Sequence, residues 1–321
     1  MRLGQSAART DAGRKRRGNE DSYVCRPPLF AIADGMGGAR AGEVASALAA
    51  GALEEARARD GGEANVANLV REANRRVHER AATDAATSGM GTTMTLALVE
   101  GDGTVTIGHV GDSRAYRLRD ERLEQLTDDH SLVAELVRRG ELSPEAAEVH
   151  PQRSVITRAL GTDPDVEVDA FSVEGRAGDL YLICSDGLSD MVDGVQIERI
   201  LNTHRADLDA AAKELVQAAN RAGGEDNITA IVFELVDGDP VVTHHEDEDT
   251  LHPEDRVSLP VPTEALPPGD TMVVSAADVR TALAESFEAP QAGIGRHVLA
   301  LAVIVALAVL IVVLVVWGLA R

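Results

Sequence analysis

The chain has 321 residues, 44% hydrophobic but only 2% aromatic, which is enough apolar surface for one large core or two ordinary ones built mainly from small and branched aliphatic side chains. Its formal charge of −22 argues against a general nucleic-acid binder, because an acidic surface repels phosphates. That charge is uneven: residues 237–297 carry 13 Asp or Glu against three Arg, while Arg14, Lys15, Arg16 and Arg17 form one basic run, read as a local site or a solvated turn.

Along the chain, residues 1–13 contain no apolar run suited to a signal peptide, so the first domain is expected in the cytosol. Strand patterns fall at 29–33, 94–99, 104–110, 115–118, 179–184 and 228–235, and helix patterns at 42–59, 66–82, 132–139 and 208–222. This is a mixed α+β domain over residues 1–236 whose sheet architecture the pattern leaves open. Cys25 and Cys184 lie far apart beside apolar runs, without the spacing of a metal clip or redox pair, and read as reduced core residues; a disulfide between them stays open. Residues 237–297, with their acidic run and Pro260, Pro262, Pro267 and Pro268, read as a flexible linker reaching about 45 Å root-mean-square. Residues 298–320 carry no charge and, at 1.5 Å per residue, make a helix of roughly 34 Å, the length of a membrane span.

Several carboxylates share one context, the tip of an apolar strand. They are Asp34-Gly35, Asp112-Ser113, Asp186-Gly187 and Asp226-Asn227, with Glu20-Asp21 as a fifth group. A carboxylate at the end of a buried strand is costly unless it meets a cation or a hydrogen-bond donor. Because the donors are all oxygen, a shared centre there favours Mg²⁺ or Mn²⁺ over Zn²⁺. Asp-Gly is also a common hairpin turn, and any one pair alone could be only that.

The segments 10–21 (TDAGRKRRGNED), 33–38 (ADGMGG), 42–46 (GEVAS), 89–93 (GMGTT), 108–114 (GHVGDSR), 150–154 (HPQRS), 185–190 (SDGLSD) and 224–229 (GEDNIT) follow one another in the order and rough spacing of a known family. On these residues the chain resembles the metal-dependent protein phosphatases of the protein phosphatase 2C class, in their compact bacterial form. The resemblance implies a four-layer α/β/β/α sandwich with a metal site at one edge. It implies two Mn²⁺ or Mg²⁺ ions bridged by Asp34, with Gly35 supplying a carbonyl, Asp186 and Asp226 completing the first shell, and Glu20 and Asp21 acting near the second ion. Asp112 with Asp186 matches a third, weaker site, and Arg16 matches the phosphate-binding arginine. The implied activity is hydrolysis of phosphoserine and phosphothreonine in proteins by a metal-activated water. The implied partners are phosphorylated proteins and membrane-bound Ser/Thr kinases, with the catalytic domain on the cytoplasmic side.

Two other readings use the same motifs: a catalytically weak phosphoprotein-binding regulator, against which the full set Asp34, Asp186 and Asp226 argues, and a phosphatase for small phosphoesters. One departure stands out. Where the animal enzymes place a histidine after the metal-binding Asp-Gly, this chain has Met36, whose thioether cannot donate a proton. His109, His130 and His150 are then the candidate acids, His109 being more suited to packing, and residues 128–158 match the mobile flap beside the active site.

Overall fold

The computed structural model describes residues 1–37, 41–56 and 61–238. In chain order these form β1 (Arg2–Asp11), β2 (Asp21–Arg26), β3 (Leu29–Met36), α1 (Ala41–Glu55), α2 (Gly62–Thr83), β4 (Gly91–Thr92), β5 (Met94–Val99), β6 (Thr104–Val110), β7 (Arg114–Arg119) and β8 (Arg122–Gln125). There follow α3 (Leu132–Arg138), α4 (Pro144–Glu148), β9 (Asp169–Glu174), β10 (Leu180–Cys184), α5 (Asp186–Ser189), α6 (Gly194–Thr203), α7 (Leu208–Ala222) and β11 (Ile228–Val236). The linker expected at 237–297 lies, beyond its first two residues, outside the described residues, as does the span expected at 298–320. Among the described residues no helix is long and apolar enough to cross a membrane.

The strands make two antiparallel sheets, one ordered β1-β11-β10-β7-β8 and the other β2-β3-β5-β6-β9, with β4 paired to β3. Three apolar layers define four layers of structure. Between the sheets pack Phe30, Ile32, Ile107, Tyr181, Ile231 and Phe233. Outside the second sheet, α1 and α2 lay an alanine- and valine-rich face, including Ala45, Ala49, Val66 and Val70, on Ala31, Leu96 and Leu98. Outside the first, α6 and α7 place Ile197, Leu201, Leu208 and Leu215 on Leu118, Leu182 and Val232. The α/β/β/α sandwich is therefore present.

One aromatic pair bridges the sheets, and a second extends it within the first sheet. Phe30 of β3 stacks on Phe233 of β11 at 4.3 Å between ring centroids, and Tyr181 of β10 stacks on the same ring at 5.1 Å. Each such pair adds about 0.5–1.5 kcal/mol beyond the area it buries. The helix ends follow their sequence signals: Ser131, Asp193 and Asp207 accept from backbone N–H groups at the starts of α3, α6 and α7.

Four strands absent from the pattern reading, β1, β2, β8 and β9, are sheet edges. Their faces are only partly buried, so the period-2 apolar signal is weak in them. A second difference concerns Asp34-Gly35, which does not form a hairpin turn. β3 runs straight through it, with Asp34 opposite Asp21 on β2 and Gly35 opposite Thr92 on β4.

His109 and His130 pack together at the seam between β6 and the base of the segment 131–157, with ring centroids 4.7 Å apart. His109 is bonded at both ring nitrogens, to Thr95 Oγ1 (2.9 Å) and to the Asp128 carbonyl (3.1 Å). His130 Nδ1 accepts from Gly111 N–H (3.0 Å), so the neutral ring carries its hydrogen on Nε2, 3.1 Å from Asp169 Oδ2. Burial, and then the neighbouring ring, pushes His109 down to about 4; burial, and then Arg158, pushes His130 down to about 4.

Two stability outcomes follow from these contacts. A Cβ on Gly108 of β6 would come within 2.5 Å of Val66 Cγ1 and 3.3 Å of Val70 Cγ2 on α2. Gly108→Ala should therefore cost about 1–3 kcal/mol by overpacking, read as a lowered thermal midpoint, while a normal midpoint would show that α2 can lift away freely. The unfolded chain protonates both histidines near 6.5 and the folded chain only near 4. Stability is thus complete above 6.5 and lost as pH falls through this window, by about 1–2 kcal/mol per histidine between pH 7 and pH 5. Urea denaturation at both pH values should show His109→Gln losing less than wild type over the same step.

Candidate active site

The site forms where strand ends from both sheets meet. Asp21 and Asp34 face each other across β2 and β3. Asp112 follows β6, in the three-residue crossing to β7 of the other sheet. Asp186 opens α5 after β10, and Asp226 precedes β11. Directly opposed like charges destabilise a strand pair, so the register of Asp21 and Asp34 signals that something else holds them.

The titration of these groups reports how closely they are confined. Burial first, and then Asp21, Asp186, Asp226 and Asp112, hold the Asp34 carboxyl well above the usual range. Burial first, and then Asp112, Asp226, Asp190 and Asp21, do the same to Asp186. Burial pushes Asp21 up to about 6, partly offset by hydrogen bonds from Thr229 and Ser185, and pushes Asp112 up to about 7 with the help of Asp129 and Asp190. Glu20 is raised by burial, which outweighs the nearby Arg16.

Local bonding fixes the Asp21 carboxylate and the backbone of Asp34. Asp21 Oδ2 accepts from Ser185 Oγ (2.9 Å) and Thr229 Oγ1 (2.6 Å). The backbone of Asp34 is held by Thr93 and Thr92: its N–H donates to Thr93 Oγ1 (3.1 Å), and its carbonyl accepts from Thr92 Oγ1 (2.8 Å) and Thr93 N–H (2.9 Å). Gly35 N–H donates to the Glu20 carbonyl (3.1 Å), which ties the 20–21 segment to β3. A Cβ on Gly35 would lie 2.1 Å from the Gly42 carbonyl, so glycine is required for the start of α1 to approach this strand.

Against that bonding, three buried oxygens have no partner: Oδ1 of Asp21, of Asp112 and of Asp186. A buried unsatisfied carboxylate oxygen costs about 1–3 kcal/mol or more, and three in one cluster form an all-oxygen donor set suited to a hard divalent cation. The carboxylates face one another without closing on a point: among the described residues no three acidic, His or Cys side chains form a ready-made cage. The donor types and the orphaned oxygens fit a divalent metal.

Arg16 joins this cluster, its Nη2 donating to Asp226 Oδ2 at 2.7 Å, while Asp226 Oδ1 accepts from Asn227 N–H at 2.8 Å. Arg16 and Asp226 also line a cleft of about 130 Å³ with Asp186, Asp190, Arg153 and Ser154. Of the candidate acids, His109 and His130 are buried and committed as described. His150 sits half-buried in the 131–157 segment, its Nδ1 accepting from Gln152 N–H (3.2 Å). Met36 is buried against Ile156 of that same segment and Ala159 just beyond it.

The structure adds residues to which the sequence reading assigned no role. Asp190 lies one helical turn after Asp186 and lines the same cleft; the i, i+4 spacing was the available signal. Asn227 organises the region by donating from Nδ2 to the Ala12 (3.0 Å) and Gly18 (2.9 Å) carbonyls while its Oδ1 accepts from Glu20 N–H (2.7 Å). Arg114 clamps Asp129 with bonds of 2.9 Å from Nε and 2.7 Å from Nη2 beside Asp112. No spacing rule connects residues 15 apart across a crossing loop.

Comparison with known proteins agrees with this geometry. Residues 10–232 match the family model "Protein phosphatase 2C". The chain is 41% identical over 238 residues to the serine/threonine phosphatase stp of Listeria innocua, covering 70% of this chain and 94% of that protein. It superposes with TM-score 0.70 on the crystal structure of the Mycobacterium tuberculosis serine/threonine phosphatase PstP/Ppp, at 42% identity over 73% of this chain and all of that one. A structure of the catalytic domain of PstP in complex with two manganese ions is similar at TM-score 0.67 and 39% identity, covering 73% of this chain and 99% of that one. With its strand-edge carboxylates, its sandwich and a family match over most of its length, the chain belongs to the protein phosphatase 2C family.

Proposed function

We propose that the protein is a metal-dependent protein phosphatase that hydrolyses phosphoserine and phosphothreonine in other proteins. The observation that carries this is the set of buried, partnerless oxygens on Asp21, Asp112 and Asp186 around Asp34, opening beside Arg16. Asp34, Asp186, Asp226 and the Gly35 carbonyl would hold the ions of a dinuclear centre, with Glu20 and Asp21 beside them and Asp112 with Asp186 at a third site. Two Mn²⁺ or Mg²⁺ ions supply the Lewis acidity that makes water a competent nucleophile near neutral pH. The likeness to a PstP domain crystallised with two manganese ions supports that choice.

The chain's own residues do the rest. Arg16 offers a planar fork to the oxygens of the transferring phosphoryl group, and its bond to Asp226 sets the direction of that fork. Ser185 and Thr229 orient Asp21, and Thr92 and Thr93 fix the strand on which Asp34 sits. Met36 seats the 131–157 segment and donates no proton, and His109 and His130 spend their ring nitrogens on structure. None of these three side chains then serves as the general acid, which leaves water or His150 to protonate the leaving alkoxide.

Residues 237–297 would serve as a linker and residues 298–320 as a single membrane anchor, with residues 1–236 in the cytoplasm. The support is the uncharged run of 23 residues flanked by Arg296 and Arg321. A membrane-bound Ser/Thr kinase and its substrates are the partners this arrangement suits.

Asp34→Asn and Asp186→Asn should each leave a folded protein that binds less Mn²⁺ and retains less than about a tenth of its rate on a phosphothreonine peptide, a barrier increase above 1.4 kcal/mol. Chelator should abolish wild-type turnover and Mn²⁺ restore it; turnover that survives chelation would sink the metal role. For the anchor, the full chain should sediment with membranes, and residues 1–236 should resist protease in intact spheroplasts but not after lysis. Cleavage before lysis would reverse the topology.

A further inference from the structure

The basic run at 14–17 is only partly absorbed by the proposed chemistry. Its loop is fixed at both ends and in the middle: Asn227 Nδ2 donates to the Ala12 and Gly18 carbonyls, and the Gly224 carbonyl accepts from Arg14 N–H (2.7 Å) and Lys15 N–H (3.2 Å). Held this way, the loop turns Arg16 inward to Asp226 and leaves Arg14, Lys15 and Arg17 exposed. Among the described residues none of these three side chains has a hydrogen-bond or ion-pair partner.

The chain has 53 acidic residues against 31 basic ones, and many of its other cations have found partners. Arg75 is paired with Glu72 and Glu79, Arg76 with Glu55 and Glu72, Arg80 with Asp84, and Arg119 with Asp179. Three neighbouring cations left unpaired on a pinned loop repel one another, and an arriving anion relieves that repulsion.

The loop also contributes to two clefts. Arg16 lines the phosphate cleft, and Arg14 lines a second cleft of about 470 Å³ with Asp11, Gln217, Asn220 and Arg221. In the second cleft Arg221 is already paired with Glu214, and Asp11 Oδ1 accepts from Gly13 N–H and Asn220 Nδ2, so Arg14 is its uncommitted charge. An extended peptide advances about 3.3 Å per residue, so an acidic group two to four residues from a phosphoresidue bound at Arg16 lies roughly 7–13 Å away, on the scale of this loop.

We propose that Arg14, Lys15 and Arg17 form a docking rim for the acidic or additionally phosphorylated residues that flank the target phosphoresidue of a polypeptide substrate. This rests on the phosphatase reading above. The rim selects substrate sequences that the dinuclear chemistry alone does not distinguish, and it acts on capture more than on turnover.

The test uses the full chain in detergent with Mn²⁺ and phosphothreonine peptides that differ only in their flanks: neutral, acidic on the N-terminal side, acidic on the C-terminal side, or carrying a second phosphoserine. Wild type should favour at least one anionic flank by about tenfold in kcat/KM at low salt, mainly through KM, with the advantage shrinking as salt screens it. R14Q/K15Q/R17Q should lose that advantage and keep wild-type rates on the neutral peptide and on p-nitrophenyl phosphate. Equal rates on all peptides with wild type, or a preference that survives in the triple variant, overturns the rim. A variant that turns over the neutral peptide faster than wild type also overturns it, and assigns the loop to this chain's own acidic segment at 246–255. Turnover of p-nitrophenyl phosphate with none of any phosphopeptide overturns the protein phosphatase reading itself.

Discussion

The arrangement of the molecule depends on one electrostatic constraint: aspartates that repel one another must be held together at the edge of two apolar sheets. Asp21 and Asp34 are opposed across a strand pair, and Asp112, Asp186 and Asp226 contribute to the field that raises Asp34. No arrangement of surface loops would keep such groups together, since each would relax into water. Here the sandwich supplies the opposing force. Its three apolar layers contain fully buried Leu, Ile and Phe side chains, each worth about 1.5–3 kcal/mol of burial. The carboxylates ride on backbone that cannot move without disturbing those layers.

The site is also shared between the sheets, which makes it a product of their stacking. Asp21 and Asp34 belong to the β2-β3 sheet, Asp186 and Asp226 flank β10 and β11 of the other, and Asp112 lies on the crossing between them. The stack of Phe30 on Phe233, backed by Tyr181 in the same sheet as Phe233, helps fix how the two sheets meet. Ser185 and Thr229 of one sheet reach across to Asp21 of the other with bonds of 2.9 and 2.6 Å. Among the described aromatic residues, Phe30, Phe171, Tyr181 and Phe233 lie in the layer between the sheets.

Much of this was legible in the sequence, for reasons that differ by element. The central strands β3, β5, β6, β10 and β11 are buried on both faces and appear as apolar runs; the edge strands β1, β2, β8 and β9 are not and do not. Asp34, Asp186 and Asp226 stood out because each interrupts or abuts such a run. The strand pattern could not show that β3 continues through Asp34-Gly35, because the pairing of Gly35 with Thr92 comes from a segment 57 residues away. Asn227, Ser185 and Thr229 were hidden for the same reason. Their partners lie on other elements, and only the folded chain makes an asparagine beside Asp226 the clasp of a loop that begins at Ala12.

Met36 shows how a single departure from a family pattern propagates through packing. At this position the side chain points into a small apolar cluster with Ile156 and Ala159, so it fastens the 131–157 segment to the strand that carries Asp34. The base of that segment is fastened again where His130 N–H donates to the Gly111 carbonyl (2.7 Å) and Thr157 N–H to the His130 carbonyl (2.8 Å). Gly111 precedes Asp112, so both fastenings end next to the carboxylate cluster. An imidazole in place of Met36 would bring a polar ring to a site with no described polar partner, at a cost of about 1–3 kcal/mol on the scale of protein mutational data. The thioether instead favours a well-seated segment, held against the strand that carries Asp34.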